Sequence, residues 1–163
     1  MMRHRAPSVI IAVVAAYSMS APAISQAAYP ACQNGDVDVG ATAMSPGVGH
    51  RGVELEFSLA PNSAPCTLTG YPGVDTGSGG PLLHAERTLR GYLGGAPGGV
   101  TTITLGPRHG AVAVVEGVAV DDNGNQCPSY ATLRVTPPNT TETISVAVVA
   151  YIDACALQVH PVT

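Results

Sequence analysis

The sequence contains no lysine and no tryptophan, a single phenylalanine, and few charged side chains, which make up 11% of its 163 residues. All seven cationic side chains are arginine and the formal net charge is −4. The chain therefore lacks the basic surface that nucleic acids and anionic membranes attract. Because 45% of the residues are hydrophobic, intrinsic disorder is excluded. The length predicts one domain with a core of its own.

Long hydrophobic runs are also absent, and the apolar run at residues 9–16 is too short to span a bilayer, which takes about 20 residues. Two arginines precede this run and small residues follow it as far as Ala27 and Ala28. This order is typical of a secretory signal peptide. We therefore expect residues 1–28 to be cleaved near Ala27 or Ala28, and residues 29–163 to form the mature domain.

The mature chain has four cysteines, and no two of them have the close spacing that zinc ligands usually show. They are Cys32, Cys66, Cys127 and Cys155. Cys32 lies well beyond the apolar run, so we expect no lipid anchor. An even number of cysteines in an exported chain predicts two disulfides, in any of three pairings. Strand-like segments follow Cys127 and precede Cys155, with turn residues 137–139 between them. A hairpin would bring these two cysteines together, which favours the pairs Cys127–Cys155 and Cys32–Cys66.

Apolar and polar residues alternate most clearly at residues 53–59, which predicts a half-buried strand. Its core-facing side chains would be Val53, Leu55, Phe57 and Leu59. The long segment 143–152 alternates in the same way, and its apolar face would consist of Ile144, Val146, Val148, Ala150 and Ile152. Further strand-like segments lie at residues 37–41, 100–105, 111–120, 130–136 and 157–160. No stretch shows a helical period with caps, so the sequence predicts an all-β sandwich.

The segment from Cys66 to Val74, Cys-Thr-Leu-Thr-Gly-Tyr-Pro-Gly-Val, resembles a signature of the family called domain of unknown function 4232. Its members are exported proteins and lipoproteins of actinobacteria. The resemblance extends over nearly all of the mature chain. It implies an immunoglobulin-like antiparallel β-sandwich of about seven to nine strands, located at the cell envelope or outside the cell. It implies no established activity.

A turn lies within this segment, at Gly70, Tyr71, Pro72 and Gly73. Glycine permits positive φ, and an aromatic residue before proline favours a tight turn, with either a cis or a trans bond. Because turn chemistry explains all four residues, we expect them to be structural.

Motifs for catalysis or metal binding are weak. Residues 75–78, Asp-Thr-Gly-Ser, match the active-site tetrapeptide of aspartic proteases, but those enzymes need a second carboxylate and the chain has no second copy. Residues 121–125 lack the ligand pattern of a calcium loop. The four mature histidines, which we expect at the surface or at a sheet edge, lie in separate segments: His50, His84, His109 and His160. The sequence therefore predicts no catalytic residue, metal or cofactor.

The longest stretch without strand character is residues 87–99, which includes Arg87, Arg90, Tyr92 and Leu93. Long loops on a rigid scaffold often carry recognition, and Arg and Tyr are frequent hot-spot residues. The alternative is a flexible crossover between two sheets. We expect a monomeric, non-catalytic binding module for an unidentified envelope or extracellular protein or glycan. A protease inhibitor that presents a loop, or a small secreted hydrolase, is the alternative function.

Overall fold

The computed structural model describes residues 28–93 and 98–163. The predicted signal peptide, residues 1–28, lies outside these ranges apart from Ala28. The described residues contain no helix, and hence no helical membrane span. Their strands are β1 (Val37–Ala43), β2 (His50–Leu59), β3 (Cys66–Thr69), β4 (Gly73–Thr76), β5 (Glu86–Arg87), β6 (Thr102–Leu105), β7 (Ala111–Val118), β8 (Ser129–Thr136), β9 (Ile144–Asp153) and β10 (Leu157–Val159). The all-β prediction is confirmed.

The described strands form a sandwich-like arrangement of three sheets. The largest has the order β1-β2-β7-β10-β5, and the others are β4-β8-β9 and the pair β3-β6. Every pairing is antiparallel except that of β5 with β10. The short strands β3, β4 and β5 were not predicted as strands. The first two directly flank the turn at residues 70–73, whose glycines and proline are signals of a turn.

The core lies between the five-stranded and the three-stranded sheets. Val53, Leu55 and Phe57 of β2 are buried, as the alternation predicts, whereas Leu59 is half-buried at the end of the strand. The largest buried side chains of the opposing sheet are those of Tyr130, Leu133, Val135 and Ile152. Since β2 pairs with β1 and β7, its alternate residues form part of the outer face of the large sheet.

The predicted face of β9 is wrong at Ala150, which is exposed. Thr132 of β8 pairs with Ala147, but Tyr130 pairs with Ile152, so β9 bulges out between these two points. Tyr151, within the bulge, has a φ of 55° and a side chain that is 57% exposed. A bulge interrupts the alternation of a strand, and sequence periodicity alone did not reveal this one.

Two disulfides join Cys32 to Cys66 and Cys127 to Cys155. This is the pairing that the hairpin argument favours, and β8 and β9 do pair between Cys127 and Cys155. All four cysteines of the sequence are therefore paired. Structural disulfides are typical of proteins in an oxidising, extracellular compartment.

Candidate binding surface at the Tyr92 loop

The predicted loop begins one residue later than expected, because Arg87 belongs to strand β5. Gln158 and Val159 of β10 pair in parallel with Glu86 and Arg87, and Thr88 N–H then donates to the carbonyl of Val159 at 2.9 Å. Residues 94–97 of the predicted loop lie outside the described residues, and we refer to residues 88–93 as the Tyr92 loop. Its first residues continue the edge of the large sheet, so the loop leaves the sheet in a defined direction.

A buried carboxylate holds the far end of the Tyr92 loop. Glu116 Oε2 accepts a hydrogen bond from Tyr92 N–H at 2.7 Å, and Oε1 accepts one from Leu93 N–H at 3.1 Å. His160 Nε2 lies 2.8 Å from the same Oε1. An ionised carboxylate only accepts hydrogen bonds, so Nε2 of His160 donates. Both Glu116 and His160 are only 2% exposed.

Local glycines make this arrangement possible. A Cβ atom at Gly91 would collide with the Glu116 carboxylate, so glycine alone lets the loop backbone approach it. Leu93 occupies the space above Gly52 and Gly47, where an added Cβ would lie 2.7 Å from its methyl groups. Met44 contacts the same position at Gly52. The loop therefore rests on the bare backbone of β2 and of the β1–β2 hairpin.

Tyr92 is exposed although its backbone is fixed. Its ring stacks on His50, with centroids 3.8 Å apart and an angle of 20° between the planes, and the side chain is 75% exposed. Val48, at the tip of the β1–β2 turn, is 99% exposed. Two separate elements thus present aromatic and apolar side chains at one end of the large sheet.

Arg90 and Arg87 are exposed at other points of this region. Arg90 N–H donates to Thr88 Oγ1, and the Thr88 hydroxyl donates to the carbonyl of Arg90, which closes a small turn. The Arg87 guanidinium carbon lies 5.9 Å from the centre of the Tyr71 ring, within the range of a cation–π contact. The predicted loop and the predicted structural turn are therefore neighbours.

The prediction that all four histidines lie at the surface or at a sheet edge is wrong for His160, which is buried. The alternation of β10 puts His160 on the outer face of the large sheet, as it does Glu116 on β7, and the Tyr92 loop then covers both. Glu116 is the one carboxylate in the otherwise apolar segment 111–120. That isolated charge was the available signal of a buried polar site.

One comparison with known proteins gives a match. A family described as a domain of unknown function, DUF4232, matches residues 32–163, which is most of the chain. The chain belongs to the DUF4232 family. No curated protein and no solved structure matches it.

The turn that carries the DUF4232 signature links β3 to β4. Gly70 has a φ of 99°, and its carbonyl accepts a hydrogen bond from Val162 N–H at 2.9 Å. Pro72 is buried, and Tyr71 packs against the core. The described residues contain no cis peptide bond. Gly70, Tyr71 and Pro72 thus contact other parts of this DUF4232 chain, and Gly73 begins strand β4.

The Asp-Thr-Gly-Ser segment of this DUF4232 chain stabilises a hairpin. Asp75 Oδ1 lies 2.6 Å from His84 Nδ1 at the surface. Thr76 is buried, and its hydroxyl donates to the Pro81 carbonyl and accepts from Leu83 N–H. The backbone N–H of Ser78 donates to the hydroxyl of Thr132. Asp75 and Thr76 therefore have partners within the hairpin, whereas Gly77 and Ser78 bond to Thr132 of the neighbouring strand β8.

The candidate calcium loop is also a turn. Asp121 Oδ1 accepts hydrogen bonds from the N–H groups of Asn123 and Asn125, at 2.9 and 2.8 Å. The side-chain amide of Asn125 donates to Oδ2, and these bonds lower the pKa of the Asp121 carboxyl, the Asn125 side chain most of all. Within residues 28–93 and 98–163 no three His, Cys, Asp or Glu side chains are grouped so that they could hold a metal ion.

Proposed function

We propose that this protein is an exported, non-catalytic binding module whose recognition surface is the Tyr92 loop together with the β1–β2 turn. The observation that carries the proposal is Tyr92, an exposed aromatic side chain on a backbone fixed by the buried Glu116. A side chain already held in one position loses less entropy on binding, and tyrosine is a frequent hot-spot residue.

The two disulfides support the exported location, because such bonds persist in oxidising compartments. The charged pairs support a role other than catalysis. His160 and Glu116 are enclosed by the protein, and in the described ranges neither His160 nor His84 is hydrogen-bonded to a serine or threonine hydroxyl. A nucleophile within hydrogen-bond reach is the usual sign of covalent catalysis.

The test is capture of partners from envelope and culture fractions by the immobilised mature protein. Tyr92→Ala should abolish capture of the partner that the unaltered protein retains, while its stability changes by less than about 0.5 kcal/mol, as is usual for exposed sites. Tyr29→Ala is the matched control, since Tyr29 is 53% exposed and lines a different cavity with Pro65 and His109. Unchanged capture by Tyr92→Ala would contradict the proposal.

Arg90→Ala separates the contributions of the two exposed loop side chains in the same assay. Secreted proteases form a second arm. If the protein inhibits one of them and Tyr92→Ala does not, the loop is an inhibitory loop and the alternative function replaces the present one.

A further inference from the structure

We propose that the partner is a cationic polypeptide segment that lies across the outer face of the large sheet, from Tyr92 to Glu56. This inference rests on the proposed function, because Tyr92 is one of its two contact points. The outer face consists of the side chains that alternate away from the core on β1, β2 and β7. From β2 they are His50, Gly52, Glu54, Glu56 and Ser58.

The half of this face away from the Tyr92 loop is open to solvent. The loop covers Gly52 and Glu116, but Gly40, Glu56 and Ser58 are exposed, and Val112 is only half-buried. A cleft of about 510 Å³ lies here. Its lining includes Gly40, Gly110 and Ser58, which have no side chain or a small one, so the cleft is open to solvent. The volume is in the range of ligand sites.

The outer face carries negative charge, which favours a cationic partner. Asp38, Glu54 and Glu56 all point outward from β1 and β2. Glu56 accepts a hydrogen bond from the Thr42 hydroxyl at 2.6 Å, which positions its carboxylate. The single arginine of these three strands, Arg51, has the opposite alternation and pairs with Asp153 at 3.3 Å. Among the described residues no salt bridge neutralises Asp38, Glu54 or Glu56, and such negative charge attracts cationic groups.

A ligand that contacts both Tyr92 and Glu56 has to be extended and has to pass over Leu93, which covers Gly52 between them. Along β2, six residues separate His50, beneath Tyr92, from Glu56, which at about 3.3 Å per residue is a span of about 20 Å. A small cation could occupy only one end. An extended segment of six or seven residues reaches both, with one Arg or Lys beside Glu54 and Glu56. A cation or a flat side chain at the other end would lie on the open face of Tyr92.

Fluorescence anisotropy with labelled octa-arginine, an octa-glutamate control and a neutral oligosaccharide of six N-acetylglucosamine units tests the proposal. Glu54→Gln/Glu56→Gln should weaken octa-arginine binding by at least about tenfold, and Tyr92→Ala should do so independently. The matched control is Asp75→Asn/Asp122→Asn, which removes the same charge from other surfaces and should change the affinity less than about twofold. Arg90→Ala removes a like charge and should not weaken binding.

Three results would overturn the inference. One is an equal loss with the control pair, since the attraction would then be diffuse charge alone. Another is oligosaccharide binding that depends on Tyr92 but not on the glutamates, which would assign the surface to glycans. The third is that Glu54→Gln/Glu56→Gln still captures the native partner while Tyr92→Ala does not; the proposed function then stands without the cationic partner. Failure of Tyr92→Ala to alter capture would reject the proposed function itself.

Discussion

Two histidine–carboxylate pairs of similar length occupy opposite environments in this protein. His160 lies 2.8 Å from Glu116 with both side chains 2% exposed, whereas His84 lies 2.6 Å from Asp75 with 75% and 32% of the side chains exposed. The distances alone would rank the exposed pair as the stronger. Burial decides otherwise, because water can replace a lost partner at the surface but not inside the protein.

The same difference explains what each pair does to the chain around it. The buried Glu116 carboxylate must find its donors within the protein, and two of the three it finds are backbone N–H groups of the Tyr92 loop. The exposed pair joins β4 to a neighbouring segment that backbone hydrogen bonds already hold. Only the buried pair therefore sets the position of a candidate binding residue.

Replacing Glu116 should have the largest effect. Glu116→Ala leaves two backbone N–H groups and His160 without their acceptor, so we expect a loss of about 3–5 kcal/mol in the free energy of unfolding. Urea denaturation followed by circular dichroism measures this loss. Phe57→Ala removes an apolar side chain that is 1% exposed and should cost a similar amount, about 3–5 kcal/mol. It serves as the reference with which the loss for Glu116→Ala is compared.

Glu116→Gln is the conservative control. Its amide keeps one acceptor oxygen but places an NH₂ group among hydrogen-bond donors, so it should fall between the unaltered protein and Glu116→Ala. A loss below about 1 kcal/mol for Glu116→Ala would mean that the buried pair resembles the exposed one in strength.

Replacing His160 should have an intermediate effect, because the two loop N–H groups keep their acceptor. His160→Ala removes one hydrogen bond to a buried charge, which we expect to cost about 1–3 kcal/mol. His160→Gln can still donate to Glu116 and should recover part of the loss. If both variants are as unstable as Glu116→Ala, the histidine and not the carboxylate organises the loop.

The two pairs also show which features of the fold can be predicted from the sequence and which cannot. Alternation predicted β2, with Phe57 in the core, because one face of that strand is buried while the other is accessible to solvent over residues 54–58. The burial of His160 depends instead on the Tyr92 loop, which belongs to a segment about 70 residues earlier in the chain. The alternation within one segment cannot indicate a contact with a segment so distant in sequence. The sequence signal of a buried polar site was Glu116, the one carboxylate in the segment 111–120.

The candidate site was predicted to a similar degree. Tyr92 was singled out as a candidate binding residue, and its side chain is exposed, as is usual in turn-rich segments. Its stacking on His50 joins two elements that are distant in sequence, and no spacing rule anticipates it. The outer-face carboxylates follow from the alternation of β2, but their cleft depends on Gly40 and Gly110, which come from neighbouring parts of the sheet.

The exposed pair should contribute little. His84→Ala should change the free energy of unfolding by less than about 1 kcal/mol, because exposed ion pairs rarely exceed that value. A double-mutant cycle with Asp75→Asn isolates the pair from other contacts of either residue, and the coupling should decrease at high salt. A coupling as large as the effect of Glu116→Ala would remove the distinction between the two environments.

Asp121 gives the smallest effect and separates burial from hydrogen bonding. It lies in a surface turn, yet the side-chain amide of Asn125, the N–H of Asn125 and the N–H groups of Asn123 and Gly124 lower its pKa below the usual 3.8. A lowered pKa in the folded state contributes stability that is fully present above the unfolded pKa. This contribution is lost as the pH falls through the lowered value.

An NMR titration of the Asp121 carboxyl should show this shift. Asp121→Asn should abolish the matching pH dependence of amide exchange at Asn123 and Asn125 while leaving the global stability nearly unchanged. An unshifted carboxyl would mean that hydrogen-bond donors without burial do not hold a charge in this fold, and the difference between the two histidine pairs would then rest on burial alone.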